Sequence, residues 1–130
     1  MKSYVGLKSV EATPQTKDGK KGYKVVYKDG YESWSPKDVF EEAYHESGEM
    51  SFSEALYLLK QGKRIARKGW NGKGMFLFLA YGEDLTNSIC TDNMPPCVDC
   101  IAMKTAQDTL VLGWLASQTD MLSDDWGVVE

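Results

Sequence analysis

The sequence predicts an α+β fold: a small antiparallel β-sheet, two or three short helices and an N-terminal extension made of a β-hairpin and a helix. Three observations lead to this prediction. An Asp-Gly pair at 29–30 separates two β-forming runs, Ser51 and Glu54 have the spacing of a helix capping box, and two further β-forming runs flank residues 106–108. With 130 residues and 42% hydrophobic content, the chain can form one packed domain with a small appendage.

Residues 1–48 are predicted to form a β-rich module that ends in a helix. We expect a strand over residues 4–13, with Val5 and Leu7 facing the core. The polar, lysine-rich residues 16–22 are expected to form a loop.

The second half of this module carries a hairpin signal and a helix start. Asp29-Gly30 lies between the β-forming runs 23–27 and 31–34, which predicts a tight hairpin turn. Ser35 is expected to cap the following helix, with Pro36 at its first position.

Residues 49–130 are predicted to form the core domain. Its first helix starts at Ser51 and ends near Gly62, and the next strand carries Ile65 inward. The remaining elements follow in order: a strand over 75–81, a loop over 82–97 without a pattern of its own, a hairpin turning at 106–108, a short helix capped by Ser117 and a last strand over 126–129.

Composition excludes several classes of function. A net charge of −4 and a pI near 5.0 argue against a protein that binds nucleic-acid polymers. No segment approaches the roughly 18–20 continuous apolar residues that a membrane span needs, so no membrane partner is expected. Three cysteines without an export signal fit a reducing cytoplasm.

A basic segment then points to a small-molecule ligand. Between Glu54 and Glu83 no acidic residue occurs, whereas the interval holds Lys60, Lys63, Arg64, Arg67, Lys68 and Lys73. Cations beside the Trp70 ring and a glycine-containing turn suit a ligand with a phosphate and a base. The alternative is an ordinary hairpin loop with solvated lysines.

Two catalytic motifs are incomplete. Lys73 is followed by Gly74, whereas a P-loop requires Ser or Thr there. The run 96–100 matches the second half of the zinc-deaminase signature, but the only histidine, His45, is followed two residues later by Ser47 where glutamate is required. A structural zinc site stays open beside the simpler interpretation of isolated thiols; its ligands would be Cys90, Cys97, Cys100 and His45.

A second ligand-binding wall is predicted near the C-terminus. Trp114 and Trp126 flank a capped turn whose Ser117, Gln118 and Thr119 offer hydrogen bonds to ribose or phosphate. Together with Trp70 as a stacking plane, this turn is expected to complete one pocket.

Several of these segments recur together in a known family. They are 50–56 (MSFSEAL), 66–77 (ARKGWNGKGMFL), 103–106 (MKTA), 114–122 (WLASQTDML) and the pair Asp125-Trp126. In this order they resemble the second type of phage Thoeris anti-defence protein, over roughly residues 50–130. Residues 1–48 lie outside the resemblance.

The resemblance implies a sponge that acts in the cytoplasm of the infected bacterial host. Such proteins bind cyclic ADP-ribose isomers, for example glycocyclic ADP-ribose, and keep them from their effector without degrading them. Some also take up cyclic dinucleotides, and a homotetramer is the typical assembly. No catalytic residue, metal or cofactor is then expected.

The expected ligand contacts lie mainly in two segments, 67–76 and 114–120. Trp70, with Phe76 or Trp114, would stack on adenine, while Arg67 and Lys68 would neutralise the pyrophosphate. The full predicted set is Arg67, Lys68, Trp70, Asn71, Gly74, Met75, Phe76, Lys104, Trp114, Ser117, Gln118, Thr119 and Asp120. Two alternatives remain: a hydrolase that degrades nucleotides in the same pocket, and a phage protein-interaction module whose basic segment docks onto an acidic partner.

Overall fold

The computed structural model describes residues 1–130, which divide into two compact units, Met1–His45 and Glu46–Glu130. Each unit contains an antiparallel sheet and at least one short helix, which confirms the predicted α+β class. None of the helices combines the length and apolar character that crossing a membrane would require.

The first unit is a three-stranded sheet followed by one helix. Its elements are β1 (Glu11–Lys17), β2 (Lys20–Val26), β3 (Glu32–Pro36) and α1 (Lys37–Ala43), and the strands lie in the order β1-β2-β3. The prediction of a loop over residues 16–22 is wrong. Asp18 and Gly19, with φ of 52° and 78°, form a two-residue turn of the kind that joins hairpin strands, and both flanking segments are paired.

The strand predicted over residues 4–13 is also largely wrong. The turn at Asp18 sets a register in which Glu11 pairs with Val26, the last residue of β2. Residues before Glu11 therefore have no strand to pair with, and Val5 is fully exposed. The buried aliphatic side chain of this unit is Val25 instead.

The hairpin turn at Asp29-Gly30 is confirmed, because β2 and β3 flank it and Gly30 has a φ of 88°. The helix start is shifted by one residue. Ser35 lies in β3, paired with Tyr23, and Pro36 is the N-cap of α1 without a side-chain hydrogen bond. The strand pairing of Ser35 thus prevails over its capping preference.

The second unit is a five-stranded antiparallel sheet in the order β7-β6-β5-β4-β8. Its elements are α2 (Phe52–Leu59), β4 (Arg64–Arg67), β5 (Phe76–Ala80), α3 (Gly82–Ile89), β6 (Cys100–Lys104), β7 (Leu110–Leu112), α4 (Gln118–Leu122) and β8 (Trp126–Val129). The predicted strands and the hairpin around 106–108 are confirmed. The last strand of the chain returns to lie beside β4.

The capping box of α2 is confirmed. The Ser51 hydroxyl accepts a hydrogen bond from the Glu54 amide at 3.2 Å, and the Ser51 amide donates to Glu54 Oε1 at 2.9 Å. The helix packs its apolar side on the sheet, and Ile65 is fully buried there, as predicted. The buried core cluster consists of Ala55, Leu59, Ile65, Leu77 and Trp126.

The predicted loop over 82–97 is wrong in its first half, because α3 occupies Gly82–Ile89 and is a fourth helix. Tyr81, its N-cap, makes no side-chain capping bond. The Gly82 amide instead donates to Asp99 Oδ1 at 2.7 Å, so the helix start is held by a residue 17 positions away. A local pattern cannot reveal such a contact.

Candidate functional site

Arg67, at the end of β4, is held by two carboxylates. Its Nη1 donates to Asp120 Oδ1 at 2.8 Å, and its Nε donates to Asp125 Oδ1 at 2.9 Å. The side chain of Arg67 is only 12% exposed. Arg67 was expected to face a phosphate directly, but its charge is engaged within the chain.

Asp120 joins the two predicted ligand-binding segments. Besides Arg67, its Oδ1 accepts a hydrogen bond from the Trp70 indole Nε1 at 3.0 Å. Its backbone amide donates to Ser117 Oγ at 3.0 Å, which forms the capping box of α4 and confirms Ser117 as the predicted cap. One carboxylate therefore fixes α4 against the turn that follows β4.

Asp125 anchors the same turn from the other side. Its Oδ2 accepts from the Gly69 amide at 2.8 Å, and its carbonyl oxygen accepts from the Lys68 amide at 3.1 Å. Asp125 is not among the residues that the sequence predicts to contact the ligand. No local signal identifies it, because its partner Arg67 is 58 residues away in the chain.

The electrostatics keep both carboxyl groups ionised. Burial raises the pKa of Asp120, but hydrogen bonds from Trp70 and Arg67 outweigh it and hold that pKa below its usual range. The hydrogen bond from Arg67 likewise lowers the pKa of Asp125, and the same two carboxylates raise the pKa of Arg67.

Four aromatic rings pack beside this network. Trp126 is fully buried, and Trp70 meets it edge-on with ring centroids 5.4 Å apart. Trp114 lies 6.3 Å from Trp70 and 6.4 Å from Phe52. Trp70 and Trp114 are each only partly buried, so both retain surface that a planar ligand can contact.

Polar residues adjoin the two indoles in the chain, and all of them are exposed: Lys68, Asn71, Ser117, Gln118 and Thr119. The capped start of α4 at Ser117 is tied to Trp70 through Asp120, whereas the side chain of Lys68 lies against Gly48. We use the name indole surface for the following residues: Arg67, Trp70, Asn71, Trp114, Ser117, Gln118, Thr119 and Asp120.

The other predicted residues form a separate group on the opposite face of the sheet. Phe76 and Lys104 are paired across β5 and β6, one residue away from the core-facing pair of Leu77 and Met103, so they point away from α2. Arg64 stacks over the Phe76 ring at 4.7 Å, and Lys104 Nζ donates to the carbonyl oxygen of Gly74 at 3.0 Å. We call Arg64, Phe76 and Lys104 the outer group; Met75, beside them in sequence, is half-buried against Gly72.

Two surface cavities lie elsewhere, in the Met1–His45 unit. One, of about 450 Å³, is lined by residues that include Tyr27 and Tyr31, and the other, of about 400 Å³, by residues that include Lys21 and Lys37. Neither contains a residue of the predicted site.

The cysteines do not assemble a ligand set for a metal. Cys90 Sγ and Cys97 Sγ lie 3.7 Å apart, and all three cysteines are free. No group of three or more His, Cys, Asp or Glu side chains in the chain is arranged to hold a metal ion. The zinc site left open by the sequence has no support in this geometry.

Comparison with known proteins assigns the second unit to a class of phage anti-defence proteins. The family model described as Tad2-like, Thoeris anti-defense 2-like domain, matches residues 50–129. A relative from Bacillus phage SP01 named Thoeris anti-defense 2 is 45% identical over 85 residues, which cover 62% of this chain and 94% of the relative. The chain belongs to the Thoeris anti-defense 2-like family, and the resemblance inferred from the sequence is confirmed.

Removing the Arg67 side chain should destabilise the second unit. Arg67→Ala leaves two poorly solvated carboxylates without a counter-charge, and we expect a loss of about 2–3 kcal/mol in the free energy of unfolding. Arg64→Ala, a neighbour on β4 that is exposed, should cost less than about 1 kcal/mol. Urea unfolding followed by tryptophan fluorescence in a Trp34→Phe background measures both; equal losses would contradict the assigned role.

Acid should weaken the same network. Because the folded-state pKa values of Asp120 and Asp125 are lowered, their stabilisation is complete above the unfolded-state pKa of about 3.9 and is lost as the pH falls through the lower folded-state values. We expect the free energy of unfolding to fall below about pH 4, and to fall less steeply in Asp125→Asn. Urea titrations at several pH values test this, and an unchanged slope in the variant would contradict it.

Proposed function

We propose that this phage anti-defence protein sequesters a cyclic ADP-ribose isomer, such as glycocyclic ADP-ribose, without degrading it, and so blocks Thoeris immunity. The observation that carries the proposal is the indole surface. There Asp120 holds Trp70 beside the capped start of α4, so that a partly exposed indole adjoins the exposed residues Ser117, Gln118 and Thr119.

The chemistry of this surface matches the parts of the ligand. Trp70 or Trp114 offers a ring for adenine, and stacking on an aromatic side chain contributes roughly 1–3 kcal/mol per base. Ser117, Gln118 and Thr119 suit ribose hydroxyls. Lys68, whose exposed side chain lies against Gly48, would turn toward the ligand to supply the charge for the pyrophosphate.

Arg67 acts in this proposal through Asp120. Its guanidinium keeps that carboxylate ionised, and the carboxylate in turn orients the Trp70 indole. A preorganised wall reduces the ordering cost of binding, which a tight complex requires.

The charge state of the surface argues against general-acid catalysis by its two carboxyl groups. Asp120 and Asp125 accept hydrogen bonds from Arg67, and both pKa values are lowered, so neither carboxyl carries a proton to donate at neutral pH. A hydrolase that used Asp120 or Asp125 as its general acid would need a raised pKa there, and both pKa values are lowered.

A cyclic dinucleotide is the second candidate ligand, and its sequestration would block CBASS-type immunity. The outer group favours it, because Arg64 lies over the Phe76 ring on a face separate from Trp70, and Lys104, ion-paired with Asp108, lies opposite Phe76 on β6. The two ligand classes would then occupy different sites.

A homotetramer would complete the indole surface. In one chain this surface is open, and a second subunit would supply an opposing wall. Apolar side chains available for subunit contacts include Leu110, Leu112 and Leu115, which are 62%, 49% and 90% exposed. Native mass spectrometry is expected to show four copies of the 14.6 kDa chain, and a monomer at micromolar concentration would contradict this part of the proposal.

Recovery of the ligand separates the sponge from the hydrolase. The purified protein is loaded with a cyclic ADP-ribose isomer, washed and denatured, and the released compound is analysed by mass spectrometry. We expect one intact cyclic molecule per occupied site. Linear or cleaved products would contradict sequestration, and no retained nucleotide would favour a protein-interaction module.

Replacing Trp70 should weaken binding. Trp70→Ala removes a stacking ring and the indole donor to Asp120, and we expect a loss of about 2 kcal/mol or more, roughly 30-fold in affinity. Trp34→Ala, in the first unit, is the matched control and should leave affinity unchanged. Calorimetry measures both variants; equal affinity of Trp70→Ala and the unmodified protein would place the ligand elsewhere.

A further inference from the structure

Two of the three cysteines are placed as a reactive pair that the proposed function does not use. Cys90 follows the last residue of α3, and Cys97 precedes β6, so a six-residue segment connects them. Their sulfur atoms lie 3.7 Å apart, and both residues are only partly buried. A small reagent can therefore reach both.

The closeness of the two thiols is maintained by bonds that do not involve sulfur. Thr86 holds both cysteines: its carbonyl oxygen accepts from the Cys90 amide at 3.1 Å, and its hydroxyl accepts from the Cys97 amide at 2.7 Å. Gly82, at the start of α3, packs against the backbone of Cys97, where a side chain would collide. The helix thus positions both sulfur atoms before they react.

We propose that Cys90 and Cys97 form a reversible intrachain disulfide when the protein meets a low-molecular-weight disulfide such as glutathione disulfide. A disulfide has an S–S length of about 2.05 Å, so the two sulfur atoms need to approach by less than about 2 Å. Cys100, three residues beyond Cys97 at the start of β6, stays reduced.

The exchange balances without any further reactant. One cysteine thiolate attacks the small disulfide, forms a mixed disulfide and displaces one small thiolate. The second cysteine then attacks the protein sulfur of that mixed disulfide and displaces the second small thiolate. The protein loses two electrons and two protons, and two small thiols are the reduced products.

The bond would fasten the C-terminal end of α3 to the segment that precedes β6. The other end of α3 is already tied to that segment, because the Gly82 amide donates to Asp99. Oxidation therefore clamps the helix at both ends and restricts its opening.

Mass spectrometry of the full chain tests the pairing. Reduced protein is treated with glutathione disulfide, remaining thiols are alkylated, and the intact mass and proteolytic peptides are measured. We expect a loss of two hydrogens, one alkyl group at Cys100 and a linked peptide joining Cys90 to Cys97. Dithiothreitol should cleave the link and restore the two hydrogens. A link to Cys100, or stable glutathione adducts on both Cys90 and Cys97, would overturn the proposal.

Two variants and a second readout sharpen the result. In Cys90→Ser the exchange with glutathione disulfide should stop at a stable glutathione adduct on Cys97. In Cys100→Ser the disulfide between Cys90 and Cys97 should form as it does in the unmodified chain. Hydrogen exchange should slow in α3 on oxidation of the unmodified chain but not of Cys90→Ser. Absence of the adduct in Cys90→Ser, or equal exchange in oxidised and reduced protein, would contradict the clamp.

Discussion

The carboxylate of Asp120 is the contact on which the candidate site depends. It receives the guanidinium of Arg67 and the indole of Trp70, which lie 53 and 50 residues earlier in the chain. Because all three groups are partly buried, their attraction is screened less than it would be in water. Loss of this carboxylate would leave Arg67 with Asp125 alone and release Trp70 from α4.

The sheet brings these distant residues together. The last strand, β8, pairs with β4 in a register that sets Trp126 opposite Arg67, and this places Asp125 next to the turn at Gly69. The fully buried Trp126 fixes that register from the core side. The indoles of Trp70 and Trp114 therefore lie on a rigid support, as a preorganised binding surface requires.

Features with a local cause could be predicted from the sequence, and features with a distant cause could not. Each capping box, one starting at Ser51 and one at Ser117, spans only four residues, so its spacing in the sequence reveals the helix that follows. The start of α3 depends on Asp99 and was missed. For the site, composition and family resemblance indicate the segments 67–76 and 114–120. Neither the contact between them through Asp120 nor the separate placement of Phe76 and Lys104 has a local signature in the sequence.

The central claim is that the ligand is held at Trp70 and Trp114, and the indole N–H resonances of the four tryptophans report on it directly. In a ¹⁵N-labelled sample titrated with a cyclic ADP-ribose isomer, the signals of Trp70 and Trp114 should shift in proportion to occupancy while that of Trp34 stays in place. A titration that moves only the Trp34 signal, or none of the four, would contradict the account.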